Sequence, residues 1–276
     1  MVTEQSEINS LKAGDVAILG VPFDENSSFM RGPAGGPAEI RKQLHCGSAN
    51  YYAEDGTNIE ASDRIFDVGD IDFRVGTDWL QTIENGVGDI LSRGAKLLSL
   101  GGDHSVTWPL IRAHAKVHPK LTILQIDAHP DLYDSLDGNR HAHACPFARI
   151  IEEGLVERLV QIGIRTLNKH QREQAERFGV EIIEMKDWSA DKLPLFDSPL
   201  YLTLDLDGLD PAAAPGVSHH EPGGFSARQV IEIIQNLPPV LVGADIVELN
   251  PVRDHFGMTA MLGSKLLREI GAKMMV

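Results

Sequence analysis

Residues 127 to 131 read DAHPD, set directly behind the apolar run LTILQI. An unpaired carboxylate or imidazole buried at the end of such a run costs on the order of several kcal/mol, so this cluster calls for pairing, hydration or a bound cation. Three other stretches also close an apolar run with acidic or imidazole groups: GGDHS at 101–105, DLDGLDP at 205–211 and ELNP at 248–251. Alternate side chains of an extended strand point the same way, so Asp127 with His129, and Asp205 with Asp207, can converge above one sheet edge. His104 and Asp131 join them from neighbouring ends. Four carboxylates and two imidazoles, with no thiolate, suit Mn(II) or a similar borderline-hard divalent ion. Their mutual repulsion calls for roughly two such ions, and carboxylates can bridge a pair about 3.5 to 4 Å apart. Taken singly, each stretch has a plainer reading. GGDHS is a capped turn, DAH a short string that chance supplies, and DLDGLDP an acidic turn in which Asp210 before Pro211 shapes the loop. Three such motifs at successive strand ends would make a poor solvated surface, and the joint reading is a two-metal site.

The elements that must position these residues are short. The runs at 16–21, 64–69, 95–100, 121–126, 159–164, 180–185, 200–206 and 240–247 are too short for helices and do not alternate strictly, which marks strands buried on both faces. Between them the spacing predicts helices at 78–93, 105–117, 170–178, 226–236 with Ser226 as N-cap, and 257–274. Strand and helix in alternation give an α/β fold with a largely parallel central sheet covered on both faces. Open parallel sheets bind ligands beyond the C-terminal ends of their strands, where the four polar stretches lie. With no long linker or repeat, the 276 residues read as one domain, 1–276.

Composition narrows the partners. A formal charge of −15 argues against nucleic acid or an anionic membrane and is compatible with a cationic ligand or with carboxylates round a metal. No apolar run approaches the roughly 18 residues that span a bilayer, and the first residues lack the regions of a signal peptide, so the expected location is cytoplasmic. Cys46 and Cys145 are too few for a disulfide scaffold and form no metal pattern.

In order and spacing, GGDHS, DAHPDLYD, DLDGLDPAAAPG followed by PGG, and DIVELNP resemble the motifs of the ureohydrolase family of arginases, agmatinases and related guanidino-compound hydrolases. The likeness runs from LGVPF at 19–23 to the last helix, and NSSFMRGP and SHHEPGG are closest in wording to plant-type arginases and bacterial agmatinase-like enzymes. The resemblance implies a three-layer α/β/α fold, a binuclear manganese centre, hydrolysis of a guanidinium to urea and an amine, and a trimer or hexamer of identical subunits. It implies a first metal on His104, Asp127, Asp131 and Asp205 and a second on Asp127, His129, Asp205 and Asp207, with Asp127 and Asp205 bridging. Nickel accepts the same donors.

Two divalent ions acidify a water enough to attack the guanidinium carbon near neutral pH, and the leaving amine then needs a proton from a group such as histidine. The resemblance assigns that role to His143. The serine that usually precedes this histidine in the family is Ala142 here, and His141 is either a second functional group or a loop residue at the rim. Glu248 matches the family's guanidinium-binding glutamate, and a carboxylate facing a cationic fork of donors is physically required. His219 stands where a threonine usually contacts the guanidinium end; with Asn26 and Ser28 of NSSF it is expected to choose the substrate. Tyr133 replaces an expected asparagine, and RTLNKHQ at 165–171 lacks the acidic residue expected to meet an α-amine. A dication suits a rim carrying Asp134 and Asp137, which ranks agmatine first. Arginine, guanidinobutyrate, guanidine and alkylated guanidines are the alternatives. Two other classes, a metal-binding silent subunit of a mixed oligomer and a deacetylase-like hydrolase, leave Glu248 without a purpose.

Overall fold

In the computed structural model, which describes residue 2 and residues 4–73 and 78–276, the apolar runs form eight strands. They are β1 (Val16–Val21), β2 (Ile65–Asp70), β3 (Lys96–Gly101), β4 (Thr122–Ile126), β5 (Arg158–Ile164), β6 (Glu181–Glu184), β7 (Leu200–Asp205) and β8 (Leu241–Val247). They make one sheet in the order β2-β1-β3-β8-β7-β4-β5-β6, with every neighbouring pair parallel. Eight helices accompany them among the described residues: α1 (Gln5–Ser10), α2 (Gly36–Leu44), α3 (Trp79–Leu91), α4 (Thr107–Val117), α5 (Pro146–Glu152), α6 (Lys169–Phe178), α7 (Ala227–Asn236) and α8 (Met258–Met274).

Because successive strand residues face opposite ways, each strand feeds two cores. Leu98, Leu124, Leu202, Leu204 and Ile246 pack with Ile40 of α2, Ile234 of α7 and Leu266 of α8. Leu97, Ile123, Tyr201 and Val247 pack on the other face with Val87 of α3, Ile111 of α4, Phe147 of α5 and Ala175 of α6. This is the three-layer arrangement expected from the pattern. Helix starts follow local chemistry: Asp78 accepts from Leu80 N at α3, and Ser226 with Gln229 forms a capping box at α7. The short helices α1, α2 and α5 lie outside the sequence expectation. Among the described residues, no helix is long and apolar enough to cross a membrane.

One polar row interrupts the apolar sheet. The register aligns Ser99 with Asp245, Asp245 with Thr203, Thr203 with Gln125, and Gln125 with Gln161, so a buried polar residue from each of five adjacent strands lies just beneath the C-terminal edge.

Nearer the middle of the fold, His114 of α4 is fully buried, with its Nδ1–H donating to Leu110 O at 2.8 Å and its ring against the edge of Tyr201. Burial pushes its pKa down to about 4. An unfolded chain titrates this histidine near its ordinary value of 6.5, so below that pH the unfolded state binds the extra proton and stability falls as pH drops toward 4. Denaturant midpoints at pH 7 and pH 5 should show the wild type losing about 2 kcal/mol more over that interval than His114→Leu; equal losses would mean that His114 is not held neutral.

Candidate active site

The four central strands β3, β8, β7 and β4 end at one edge, and each hands over to a turn that carries chemistry. After β3, Gly102 passes so close beneath Phe23 that a Cβ would stand 1.8 Å from Phe23 O, and Asp103 N donates to that same carbonyl at 2.9 Å. Asp103 then caps the short turn opened by His104, accepting from Ser105 N. After β7, the turn at Leu206–Gly208 presses on the backbone of Asp127, where a Cβ on Gly208 would meet Asp127 N at 2.9 Å. Asp131 and Glu248 adopt left-handed backbone, φ +48° and +65°. Such conformations cost roughly 1–3 kcal/mol each, and here they turn two carboxylates back over the sheet edge.

There the acidic and imidazole groups meet. His104 Nδ1 lies 3.1 Å from Asp127 Oδ2, 3.1 Å from Asp131 Oδ2 and 3.2 Å from Asp205 Oδ2. It is fully buried and aimed between these oxygens, in line with none, so it has no hydrogen-bond partner among the described residues. His129 Nδ1 lies 3.0 Å from Asp207 Oδ2 and 3.6 Å from Asp127 Oδ1. Two donor groups that could each hold a metal ion result, His104/Asp127/Asp131 and Asp127/His129/Asp207, and they share Asp127. Electrostatics agrees with the geometry. Burial, and next Asp127, push Asp131 up to about 6, and burial with neighbouring carboxylates also raises Asp205 and Asp207. Against the same burial penalty, His104 and His129 hold Asp127 below its usual range. Protein atoms alone do not keep every carboxylate ionised at neutral pH, and a cation at the orphaned His104 nitrogen would complete the cluster.

Support comes from the polar row beneath. His104 Nε2 is 3.0 Å from Thr203 Oγ1, which donates to Asp245 Oδ1 at 2.6 Å; Tyr201 and Thr107 donate to Asp245 Oδ2, each at 2.9 Å. This chain makes Nε2 the N–H donor and leaves Nδ1 as the free lone pair. Gln125 Nε2 donates to Asp127 Oδ2 at 2.6 Å, and Gln161 Nε2 donates to Gln125 Oε1 and Pro130 O. On the flank, the Arg165 guanidinium donates to the carbonyls of Gly163, Asp207, Gly208, Leu209 and Glu221, tying the Asp207 turn to the loop that carries His219. None of these supporting residues was singled out from the sequence, although each polar strand residue shows there as an interruption of an apolar run.

A pocket of about 180 Å³ opens above the cluster, with Ser28, Tyr133, His143, Thr166, Gln171, His219 and Glu248 in its wall. Glu248 Oε1 accepts from His104 N and from His143 Nδ1, both at 2.9 Å. Although burial pulls the other way, the charge of Glu248 raises His143 to about 9. Burial lowers His219 to about 4, and its ring centroid lies 5.1 Å from that of His143 and 6.0 Å from that of His129.

Three expectations need correction or placement. Asn26 does not line the pocket: its side-chain Nδ2 donates to Ser105 Oγ at 3.1 Å, and its backbone carbonyl accepts from His143 N. It braces the catalytic candidate and is not placed to read substrate. Asp134 is not a free rim charge, because Arg140 reaches it at 2.6 Å and the buried Arg149 at 3.3 Å, while Asp137 sits exposed on the turn between Leu136 and Asn139. His141 packs beside Trp108 and Trp79, outside the pocket wall.

Comparison with known proteins places this arrangement. Residues 14–272 match the family described as the Arginase family. The chain is 45% identical to "Arginase 1, mitochondrial" of Arabidopsis thaliana, over 93% of this chain and 80% of that protein. It is 35% identical to an agmatinase of Bacillus anthracis, over 95% and 92%. Among solved structures, the arginase from Medicago truncatula superimposes with a TM-score of 0.89 at 41% identity, covering 96% of this chain and 88% of that one. The chain therefore belongs to the arginase family, the metal-dependent ureohydrolases of guanidino compounds.

Proposed function

We propose that this chain hydrolyses arginine to urea and ornithine, with agmatine as the weaker substrate. The observation that carries arginine ahead is the pairing of Asp134 with Arg140 and Arg149, which, with Asp137 outside the pocket wall, leaves Tyr133, Leu136, Thr166 and Gln171 as an outer wall without a carboxylate to favour a dication. The outer wall offers uncharged donors instead. Tyr133 Oη accepts from Asn168 Nδ2, so its own O–H is free to donate, and Gln171 Oε1 accepts from Leu132 N, which leaves its NH2 toward the pocket. Such groups suit an α-carboxylate. The relatives point the same way, with named plant arginases at 45% identity and a named agmatinase at 35%.

In this reading His104, Asp127, Asp131 and Asp205 hold one divalent cation and Asp127, His129, Asp205 and Asp207 the other, Mn(II) by donor chemistry with Ni(II) acceptable. When bound, the cations supply a water acidified toward neutral pH and positive charge for the oxygen that gains electrons. Both contacts of Glu248 fall on Oε1, so Oε2 is the oxygen available to a guanidinium N–H. His143, raised to about 9, is protonated at neutral pH and is the source of the proton that the leaving nitrogen takes up. His219, lowered to about 4, stays neutral beside the cationic substrate. The exposed Val252, Phe256 and Met258 supply an apolar surface that a second copy would cover, in keeping with a trimer or hexamer.

Urea release from the Mn(II)-loaded protein should give kcat/KM for arginine at least tenfold above that for agmatine; the reverse order would return agmatine to first place while leaving the family reading intact. His219→Thr should change that ratio more than it changes metal content, whereas equal losses on every guanidino substrate would remove His219 from the specificity wall. Because Asp127 is common to both donor groups, Asp127→Asn should lower bound metal from about two ions to one or fewer by elemental analysis; two retained ions would show that Asp127 does not bridge.

A further inference from the structure

His143 is held at both ring nitrogens. Nδ1 lies 2.9 Å from Glu248 Oε1, and Nε2 lies 2.8 Å from Ser28 Oγ. An ionised carboxylate has no proton to give, so Nδ1 carries the N–H that points to Glu248, and Nε2 is the nitrogen that gains and loses a proton. Its one partner among the described residues is the Ser28 hydroxyl. The position beside it in the chain, 142, is alanine and supplies no hydroxyl.

Ser28 is brought 115 residues back to His143 by the loop between β1 and α2, and that loop is fastened at several points. The buried Asp103 carboxylate accepts from Asn26 N at 3.0 Å and from Ser27 Oγ at 3.3 Å. The carbonyl of Asn26 accepts from His143 N at 3.1 Å, and that of Met30 accepts from Ser218 Oγ at 2.9 Å. The histidine is thus tied to the serine loop by its backbone as well as by its ring. Ser28 Oγ makes no second hydrogen bond among the described residues, yet Ser28 lines the substrate pocket. A hydroxyl with one fixed partner and one open side can accept from the imidazole and donate into the pocket. A group that served only to orient the ring would need no open side.

We propose that Ser28 is the proton relay between His143 and the leaving nitrogen of the substrate, an inference that rests on the hydrolase reading above. His143 Nε2–H passes its proton to Ser28 Oγ as the Ser28 hydroxyl proton passes to the lone pair of the leaving nitrogen. The C–N bond then breaks and its electron pair departs with that nitrogen as a neutral amine. Imidazolium becomes imidazole, and the serine ends as it began. The same Glu–His–Ser spacing could activate a serine nucleophile, so the test must separate the two roles.

The experiment compares wild type, Ser28→Ala, Ser28→Thr and His143→Ala, each loaded with Mn(II), for urea release from arginine and agmatine. The relay requires kcat of Ser28→Ala to fall roughly tenfold or more, within the range of general-acid contributions. KM should stay within threefold, metal content should not change, Ser28→Thr should retain most of the rate, and added imidazole should rescue Ser28→Ala but not accelerate wild type. Wild-type kcat in Ser28→Ala, a rise in KM with kcat unchanged, or labelling of Ser28 by a fluorophosphonate would each overturn the relay while leaving the hydrolase reading standing. Wild-type protein with bound metal that releases urea from no guanidino compound would instead overturn the hydrolase reading. The contact is then decided without turnover, by 15N NMR of His143 in protein loaded with diamagnetic Mg(II): a shift of Nε2 between wild type and Ser28→Ala is required, and none overturns the relay.

Discussion

Four buried carboxylates repelling one another at the end of a parallel sheet are the constraint to which the rest of the molecule responds. Each response has its own chemistry. Two imidazoles stand among the aspartates, and the orphaned Nδ1 of His104 marks where positive charge is missing. Below, Gln125 and Thr203 of the polar row donate to Asp127 and Asp245. Beside the cluster, the Arg165 cation meets only carbonyl oxygens, so its charge stays within reach of Asp207 and Asp127 without neutralising either through a direct pair. Left-handed backbone at Asp131 and Glu248 is strain that this surrounding structure holds in place.

The pocket above divides into two electrostatic halves. Its floor and inner wall carry the aspartates, Glu248 and the raised His143, a dense set of ionisable groups. Its outer wall is neutral, because Tyr133, Leu136, Thr166 and Gln171 line it and the nearby Asp134 is bound by two guanidiniums. Asp134 is thus a structural residue that fastens the loop after β4 to Arg149 of α5. The distinction matters for substrate choice, since a guanidinium is common to every candidate and only the far end differs.

Much of this was legible in the sequence. Eight apolar runs became eight strands because a strand buried on both faces needs continuous hydrophobicity, which short runs bounded by polar residues display. The residues that meet at the edge were legible for a related reason: side chains two apart on a strand end share a direction, so DAHPD and DLD had to present their carboxylates together. What stayed hidden depends on partners far along the chain. The helices α1 and α5 are too short to show a period, and α2 opens on Gly36 and Pro37, which read as loop. The polar row could not be assembled because its members align only once the strand order is known. Asp134 looked free because nothing local announces that Arg149, 15 residues on, will bury itself against it. Ser28 was read as a substrate contact, and its hydroxyl lies on His143.

The strand order carries a consequence for biosynthesis. In the order β2-β1-β3-β8-β7-β4-β5-β6, the last strand made is the one that sits between β3 and β7. Until β8 is delivered, no strand lies between the edges β2-β1-β3 and β7-β4-β5-β6. His104 rides on one half, and Asp127, His129, Asp131, Asp205 and Asp207 ride on the other. Glu248, which closes the pocket, is still to come. The donor group Asp127, His129 and Asp207 can therefore assemble on one half-sheet, whereas the group that includes His104 comes together only when the final strand joins the two halves.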